Sequence, residues 1–440
     1  MLDSISVNID SVNTCLTVYG VLMTDRDQGA DGSRLTTREA AERLGVKPET
    51  VYAYVSRGQL GSRRDPGGRG STFDAREVDE LLSRGRRQAG AGGEGTPVVR
   101  TGITLIDKDG YYFRGVDATE LARRYHYEEI ADWLWTGTLE RGVRFTAPPG
   151  LLDAARRAVG ALPPHSGPVD RLRVAAIAAA AADPLRFDLD PSAVTGVGRT
   201  LIPTLVDALP VAAALPVATA HRGEDGLAPR LWSRLTARPA DEAPLRALDM
   251  ALALLIDHDL AASTLAVRVA ASARAHPYAV VSAGLGALDG PLHGAASGLA
   301  HRMLAEVLER GSAAPVVADH LRAGRRVPGL GHRLYPAQDP RAEALFGALA
   351  GIPDARPALE AAREVEATAA RQEELHANVD LALAALSVSA GMAPEAGETV
   401  FAVARTAGWI AHALEEYEER PLRMRPSGRY NGPRPPRPAP

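Results

Sequence analysis

One cysteine, Cys15, is found in 440 residues. A lone thiol excludes a disulfide framework and any zinc site built on several cysteines. It fits a reducing compartment, so a cytoplasmic protein is expected. Aromatic residues are scarce at 5%, which argues against a β-sandwich, whose faces are filled by aromatic and β-branched side chains. Long apolar runs are missing: the most apolar stretch, Met250 to Ile256, stops at Asp257, His258 and Asp259. That falls well short of the ~20 residues a membrane span needs. Asp3 and Asp10, with no basic start, break the pattern of a secretory signal. An excess of one charge is also lacking. Fifty Lys+Arg against 54 Asp+Glu leave a formal −4, which excludes a uniformly basic nucleic-acid binder but not a local basic patch.

Ala and Leu, by contrast, are dense, and the length allows two or three domains. Residues 1–33 are polar and pattern-free and are expected to be disordered, with Met23 as an alternative start. Residues 34–87 form a compact block with twelve Lys/Arg and eight Asp/Glu, a net of +4, so the rest of the chain carries −8. Residues 88–97 read as a Gly-rich linker, residues 98–430 as the main block, and residues 431–440 as a Pro-rich tail without a fold. In the main block, Ala, Leu and Val recur at i, i+3, i+4 spacing in Leu151–Leu162, Val169–Ala182, Leu245–Ala273, Ala295–Arg310, Ala342–Ala350, Pro357–Glu374 and Thr399–Glu416. The β-like stretches are short: Ile103–Ile106 and Tyr111–Arg114, with Asp109-Gly110 as a turn between them. The fold class is therefore mostly α with a small hairpin at its start.

The basic block opens with Thr36-Thr37-Arg38-Glu39, a capping box with Thr36 as N-cap and Glu39 at N3. Ala40 and Leu44 share a face, Gly45-Val46 makes a short turn, and Pro48 starts a second helix with Val51 and Val55 inward and Gly58 as its C-cap. A basic hairpin, Arg63 to Gly70, then leads through Phe73 to a third helix from Asp74 to Leu82. The run Leu35 to Val46 resembles the winged helix-turn-helix of the MerR/excisionase type over about fifty residues. That resemblance implies a DNA-reading second helix with Lys47, Thr50, Tyr52, Tyr54 and Arg57, and a wing with Arg63, Arg64 and Arg69. Lys47 stands where an N-capping Ser is usual. The alternative is a small helical domain for protein contacts whose arginines are merely solvated.

Four constellations in the main block carry chemistry. They are Asp257-His258-Asp259 within an apolar helical region; Gly290-Pro291-Leu292-His293-Gly294 on a tight loop before a helix; Gly329-Leu330-Gly331-His332-Arg333-Leu334-Tyr335 followed by Asp339-Pro340-Arg341; and Asn378-Val379-Asp380. Glycines beside a histidine let backbone approach a ligand closely. Three histidines and one carboxylate in such settings suit acid/base chemistry on a small carbonyl substrate. The histidines are far apart in sequence and lack ligand spacing, so no metal is expected. His276, His301, His320 and His412 read as surface or core residues without a role, His376 as a residue that could line the site, and Trp133, Trp135 and Trp409 as packing.

Together with Gly102-Ile103-Thr104, Phe113 to Asp117, Arg405 to Trp409 and Arg425-Pro426, these motifs resemble the citrate synthase family, in its bacterial form and its 2-methylcitrate-forming relatives, from about Val98 to Tyr430. The resemblance implies a two-lobed helical fold, with a small lobe at roughly 266–374, and an acyltransferase of the tricarboxylic acid cycle. It would condense acetyl-CoA with oxaloacetate and hydrolyse the thioester to citrate and CoA. It implies Asp380 as the base at the acyl α-carbon, His293 as the donor to the thioester oxygen, and His332 as the residue that polarises the ketone. His258, Arg341, Arg405 and Arg425 would bind oxaloacetate, Arg425 from the second subunit of a homodimer. No cofactor is implied, the CoA thioester being a substrate.

The residue types suit that task. A carboxylate base alone cannot sustain a free enolate, and a neutral His at the developing oxyanion supplies the missing stabilisation. Arg forks match two carboxylates. The chain departs from the family at Asp259 and Ala261, where Glu and Asn are common; at Ala295 to Ser297, after the second histidine; and at Pro336, where a basic residue often follows the Tyr and contacts CoA phosphate. Arg333 is the remaining candidate CoA contact. Two alternatives stand beside the leading reading: a 2-methylcitrate synthase using propionyl-CoA, and a DNA-binding regulator whose synthase-derived block senses a ligand. Retention of Asp380, His293 and His332 speaks against the regulator, since a sensor needs the arginines but not the base.

Overall fold

The computed structural model describes residues 34–44, 46, 48–56, 60–64, 71–79, 99–107, 110–212, 226–290, 293–335, 337–370, 375–428 and 430–432. The segments 1–33 and 88–97, and most of the tail, lie outside the described residues. Contacts divide the chain into two compact units, residues 1–100 and 101–440.

Among the described residues the first unit is a small antiparallel sheet with two helices and a further helical stretch at 75–79. Its elements are β1 (Arg34–Thr36), α1 (Thr37–Leu44), α2 (Pro48–Ser56), β2 (Arg63–Arg64) and β3 (Ser71–Asp74), in sheet order β1-β3-β2. The capping box forms as expected: the Thr36 N–H donates to Glu39 Oε2 at 2.8 Å, and the Glu39 N–H donates to Thr36 Oγ1 at 3.4 Å. Strand β1 was not anticipated. Leu35 pairs with Phe73 across β3, which brings the chain entering α1 over a core of Ala40, Ala41, Val51, Leu60, Phe73 and Val78. Asp74 closes β3, and the expected third helix is helical at 75–79.

The second unit begins with β4 (Thr104–Asp107), β5 (Gly110–Phe113) and β6 (Val116–Asp117), an antiparallel sheet one strand larger than the expected hairpin. Asp117 ends it and caps the next helix, accepting from the Thr119 and Glu120 amides. The helices that follow are α3 (Ala118–Arg124), α4 (Tyr127–Thr136), α5 (Pro149–Gly160), α6 (Pro168–Ala182), α7 (Pro191–Ala208), α8 (Leu227–Leu235), α9 (Glu242–Leu254), α10 (Ala262–Ser272), α11 (Pro277–Leu288), α12 (Ala296–Arg310), α13 (Ala313–Arg322), α14 (Pro340–Ala350), α15 (Arg356–Ala369), α16 (Val379–Ser389) and α17 (Ala396–Glu418). Helix α17 runs 23 residues and is buried over most of its length. Helices α10 and α11 pack on each other and on α17, and α11 also packs on α6. Helices α12 to α16 pack largely among themselves. No helix among the described residues is long and apolar enough to cross a membrane.

The apolar period across Leu245–Ala273 does not give one helix. The chain breaks between α9 and α10, over residues 255–261. Two side chains compete for the backbone and carboxylate there. Tyr111 Oη donates to the carbonyls of Leu254 and Asp257, and Thr104 Oγ1 donates to Asp257 Oδ2 at 2.6 Å. Asp259 then adopts φ 56°, which ends any helical path. His258 therefore sits on an irregular loop and not on a helix. Helix α17 reaches this loop because residue 408 is glycine: a Cβ there would overlap the Ile256 carbonyl oxygen and lie 3.0 Å from Asp257 Cβ. Gly408→Ala gains up to about 1 kcal/mol of helix propensity, but overpacking costs about 1–3 kcal/mol, so the clash wins. The expected outcome is a melting temperature lowered by a few degrees; an unchanged or higher value in a thermal scan would refute the close approach.

Candidate active site

Each site residue is delivered by a local device. Asn378 is the N-cap of α16: its side chain accepts from the Asp380 amide at 3.0 Å while its Nδ2 donates to the Gly331 carbonyl at 2.9 Å. The Asn378 amide donates to the Gly329 carbonyl at 2.9 Å, and the Gly331 amide to the His376 carbonyl at 2.8 Å. These bonds stitch the segment carrying His332 to the first turn of α16, which carries Asp380. Gly329 takes φ 80° and lies so near Leu381 that a Cβ would sit 2.7 Å from the leucine Cβ, so glycine is required there. Asp339 caps α14, accepts from Arg341 Nε at 3.0 Å and Nη2 at 2.7 Å, and also accepts from the Val379 amide at 3.1 Å. His293 follows a turn closed by the Gly294 amide donating to the Leu288 carbonyl at 3.0 Å.

Rings and guanidiniums then converge. His258 and His332 meet edge to face with centroids 5.0 Å apart, and Tyr335 lies against both. His258 Nε2 is 2.9 Å from Tyr335 Oη. His332 Nδ1 accepts the Leu334 N–H at 3.1 Å, which leaves the ring proton on Nε2. His293 Nε2 is 2.8 Å from Ser263 Oγ, and its ring packs on Phe401. The Arg405 guanidinium lies over the same Phe401 ring, 4.4 Å from its centroid, and Nε donates to the Leu255 carbonyl at 2.8 Å. Among the described residues, Arg341 Nη1 and both terminal nitrogens of Arg405 have no hydrogen-bond partner. The fork of Arg341 is thus half occupied by Asp339, and Arg405 keeps the open one.

The electrostatics follow from burying these cations. His332 is pushed down to about 4, by burial and then by the Arg341 charge. Burial, Arg341 and Arg405 hold His258 well below its usual value, and burial and Arg405 lower His293. All three rings are therefore neutral near pH 7. Asp380 moves the other way: burial raises it to about 6, with Arg341 pulling down and Asp339 pushing up. Its carboxylate accepts no hydrogen bond among the described residues.

The remaining sequence candidates are not in this cluster. Arg425 and Arg333 are exposed, and Arg425 makes no ion pair among the described residues. His376 is partly buried, its Nδ1 3.8 Å from Glu366. In the first unit, Tyr52 is exposed with its hydroxyl 3.2 Å from Thr37 Oγ1, Thr50 is half-buried and Arg63 is exposed. Tyr54, read with the recognition positions, packs instead against the small core. Lys47, Arg57 and Arg69 lie outside the described residues, and Arg64 is seen as backbone paired with Ser71. Sequence reasoning missed Ser263, Tyr335 and Asp339, although the last two stand inside the quoted motifs. It also dismissed His412, which is fully buried against Asp257. Among the described residues no group of three or more His, Cys, Asp or Glu could hold a metal ion.

Comparison with known proteins places this arrangement. The model of the family "Citrate synthase, C-terminal domain" matches residues 92–427, and that of a helix-turn-helix domain matches residues 34–86. The citrate synthase of Haloferax volcanii is 31% identical over 365 residues, covering 77% of this chain and 94% of the relative. A 2-methylcitrate synthase of Corynebacterium glutamicum is 27% identical, covering 73% and 88%. Among solved structures, citrate synthase from Thermoplasma acidophilum, in a ternary complex with carboxymethyl coenzyme A and oxaloacetate, superposes with a TM-score of 0.63 at 25% identity, covering 78% of this chain and 96% of that one. The Thermotoga maritima citrate synthase gives 0.62 at 26% identity, covering 79% and 97%. In sequence and in architecture alike, the chain belongs to the citrate synthase family, as an enzyme of that class with a helix-turn-helix domain at its N-terminal side.

Proposed function

We propose that this enzyme condenses acetyl-CoA with oxaloacetate and hydrolyses the resulting thioester to citrate and CoA. The observation that carries the reading is Asp380, a carboxylate that accepts no hydrogen bond among the described residues, held at about 6 in the field of Arg341 and Asp339, on the helical turn that is stitched to the His332 segment. A base with that value is ionised at neutral pH yet basic enough to accept a carbon-bound proton.

In the proposed reaction Asp380 takes a proton from the acyl α-carbon, and the electron pair moves onto the thioester oxygen. With Ser263 donating to Nε2, the His293 proton sits on Nδ1, where it hydrogen-bonds the enolate oxygen. The enolate carbon attacks the ketone carbon of oxaloacetate, whose oxygen takes the electron pair under a hydrogen bond from His332 Nε2 and is then protonated from solvent to the hydroxyl, while Asp380 returns its proton to solvent. The open fork of Arg405 and the free edge of Arg341 hold the substrate carboxylates, with His258 beside them. Water then cleaves the thioester and CoA leaves as a thiol. Propionyl-CoA is the competing substrate, and the Corynebacterium glutamicum relative motivates it. One methylene is worth only about 1–3 kcal/mol of discrimination, so acetyl-CoA is expected to be preferred but propionyl-CoA accepted.

Two further parts complete the reading. Arg425, exposed in its own chain, is assigned to the site of a second copy. The exposed apolar side chains Ile177 on α6 and Leu265 and Val269 on α10, with Leu185 and Phe187 nearby in sequence, support such a pairing. The first unit is assigned to DNA binding, supported by its local +4 charge and by its helix-turn-helix architecture.

Purified protein should release thiol from acetyl-CoA only when oxaloacetate is present. Asp380→Asn should lose turnover by about 10²–10⁴-fold and still bind oxaloacetate; near-normal turnover would remove Asp380 from the role of base. The same substitution tests the raised carboxyl. A carboxylate whose folded value lies above its unfolded one loses stability as pH rises through the folded value. Asp380→Asn should therefore be more stable than wild type at pH 8, by on the order of 1–3 kcal/mol, with the gap closing between pH 6 and 4. Wild-type kcat/KM should fall as pH drops through about 6.

Co-expressing Asp380→Asn and Arg425→Ala subunits, each inactive as a homodimer, should restore about a quarter of wild-type activity, because half of the random dimers carry one intact site. No recovery would mean that Arg425 does not serve its neighbour. For the first unit, fluorescence anisotropy of full-length protein and of a chain lacking residues 1–97, against random and genomic duplexes at two salt concentrations, should show binding by the full chain only, weakening with salt. Equal binding at low salt would make this unit a protein-contact module.

A further inference from the structure

Helix α17 grips the loop before His258 along one stripe. Arg405, Gly408 and His412 stand at i, i+3 and i+7, on one face of the helix. Arg405 Nε holds the Leu255 carbonyl at 2.8 Å, Gly408 lies against the Ile256 carbonyl, and His412 Nε2 is 3.1 Å from Asp257 Oδ1. The first contact belongs to an arginine that faces the site and the second is steric. The third joins two fully buried polar residues that the proposed chemistry does not use.

The direction of that hydrogen bond is fixed. Arg268 Nε donates to His412 Nδ1 at 2.9 Å. A guanidinium has no acceptor, so Nδ1 carries no proton and Nε2–H donates to Asp257. Arg268 is in turn held by Glu416 Oε2 at 3.1 Å and by Glu415, whose other oxygen accepts the Gly102 amide at 2.8 Å. Glu416 also takes Arg423 at 2.6 Å. The chain of bonds thus ties the loop to the start of the second unit and to the C-terminal segment that carries Arg425. On its other side Asp257 is fixed by Thr104 Oγ1 and by Tyr111 on its carbonyl. Asp257 directly precedes His258, and Asp259, just beyond, sits at φ 56°. A rotation at Asp257 would swing the His258 ring.

We infer that His412 is a positioning residue: through Asp257 it fixes the loop that presents the His258 ring to oxaloacetate. This rests on the citrate synthase reading above. Without the His412 donor, Asp257 Oδ1 becomes a buried, unpaired acceptor, which costs more than the lost bond itself, and the loop moves to relieve it.

The test uses the full chain and steady-state kinetics with oxaloacetate and acetyl-CoA varied separately. His412→Gln can place an amide N–H near the position of Nε2; His412→Asn ends near Nδ1 and cannot reach Asp257. The glutamine variant should stay within about twofold of wild type, whereas the asparagine variant should raise KM for oxaloacetate about tenfold and leave KM for acetyl-CoA unchanged, a difference of about 1.4 kcal/mol. The two should melt within a few degrees of each other. Thr104→Val removes the other side-chain donor to Asp257 from a different element, so it should repeat the oxaloacetate-specific effect in smaller degree, which keeps the test intact if either His412 variant fails to fold. Equal kinetics for the Gln and Asn variants, or a loss confined to kcat with both KM values unchanged, would overturn the inference alone. A wild-type enzyme that releases no thiol with either thioester overturns the reading beneath it and the inference with it.

Discussion

Two guanidinium groups, Arg341 and Arg405, are almost completely withdrawn from water, with 2% and 1% of their surface exposed, and the second unit is arranged around that burial. Removing an ion from solvent costs several kcal/mol unless partners offset it. Arg341 has Asp339 as a two-point partner, and although burial works against its charge the aspartate keeps it firmly protonated. Arg405 has less: one carbonyl, the face of Phe401, and Asp257 at longer range, so burial pulls it below its usual value. The site therefore holds uncompensated positive potential. Burial first, and this field second, keep the histidines neutral, and the same field favours a negative charge in the cluster.

That field also settles which groups can do proton chemistry. A histidine pushed to about 4 cannot act as a charged acid near neutrality and is left as a hydrogen-bond donor. Asp380 stays useful because Arg341 limits how far burial can raise it. The same arginine thus limits the Asp380 carboxyl on one side and adds to burial in keeping two rings neutral on the other, which is why Asp339, its two-point partner, matters to the whole cluster.

The sequence was a good guide where a helix carries a continuous apolar stripe and a cap. It recovered α5, α6, α12, α14 and α17 to within a few residues, and it named the four motifs that meet in the cluster. It was a poor guide where backbone structure is imposed from elsewhere in the chain. The break at 255–261 is invisible in the Ala/Leu pattern because its causes are Tyr111, Thr104 and Gly408, each far away in sequence. Helix α7 was not anticipated, and it carries Gly196, Gly198 and Pro203 in its interior. A Cβ at residue 198 would sit 2.7 Å from the Trp135 ring, so this glycine reflects packing and not a turn. Strand β1 was missed because three residues are too few to show alternation. His412 was passed over because one histidine on an apolar stripe carries no sign of what faces it.

Asp259 illustrates how a backbone requirement can pass for a chemical one. Its left-handed φ of 56° is a region that β-branched and bulky residues avoid, and that Asn, Asp and Gly enter most readily. The turn must be made there if His258 is to face inward while α10 starts three residues later. Torsion at residue 259 therefore favours Asn, Asp or glycine and penalises β-branched side chains, whatever the substrate. An acidic residue next to a histidine invites a role in proton transfer, but the left-handed backbone at residue 259 is by itself a reason for an aspartate in this loop.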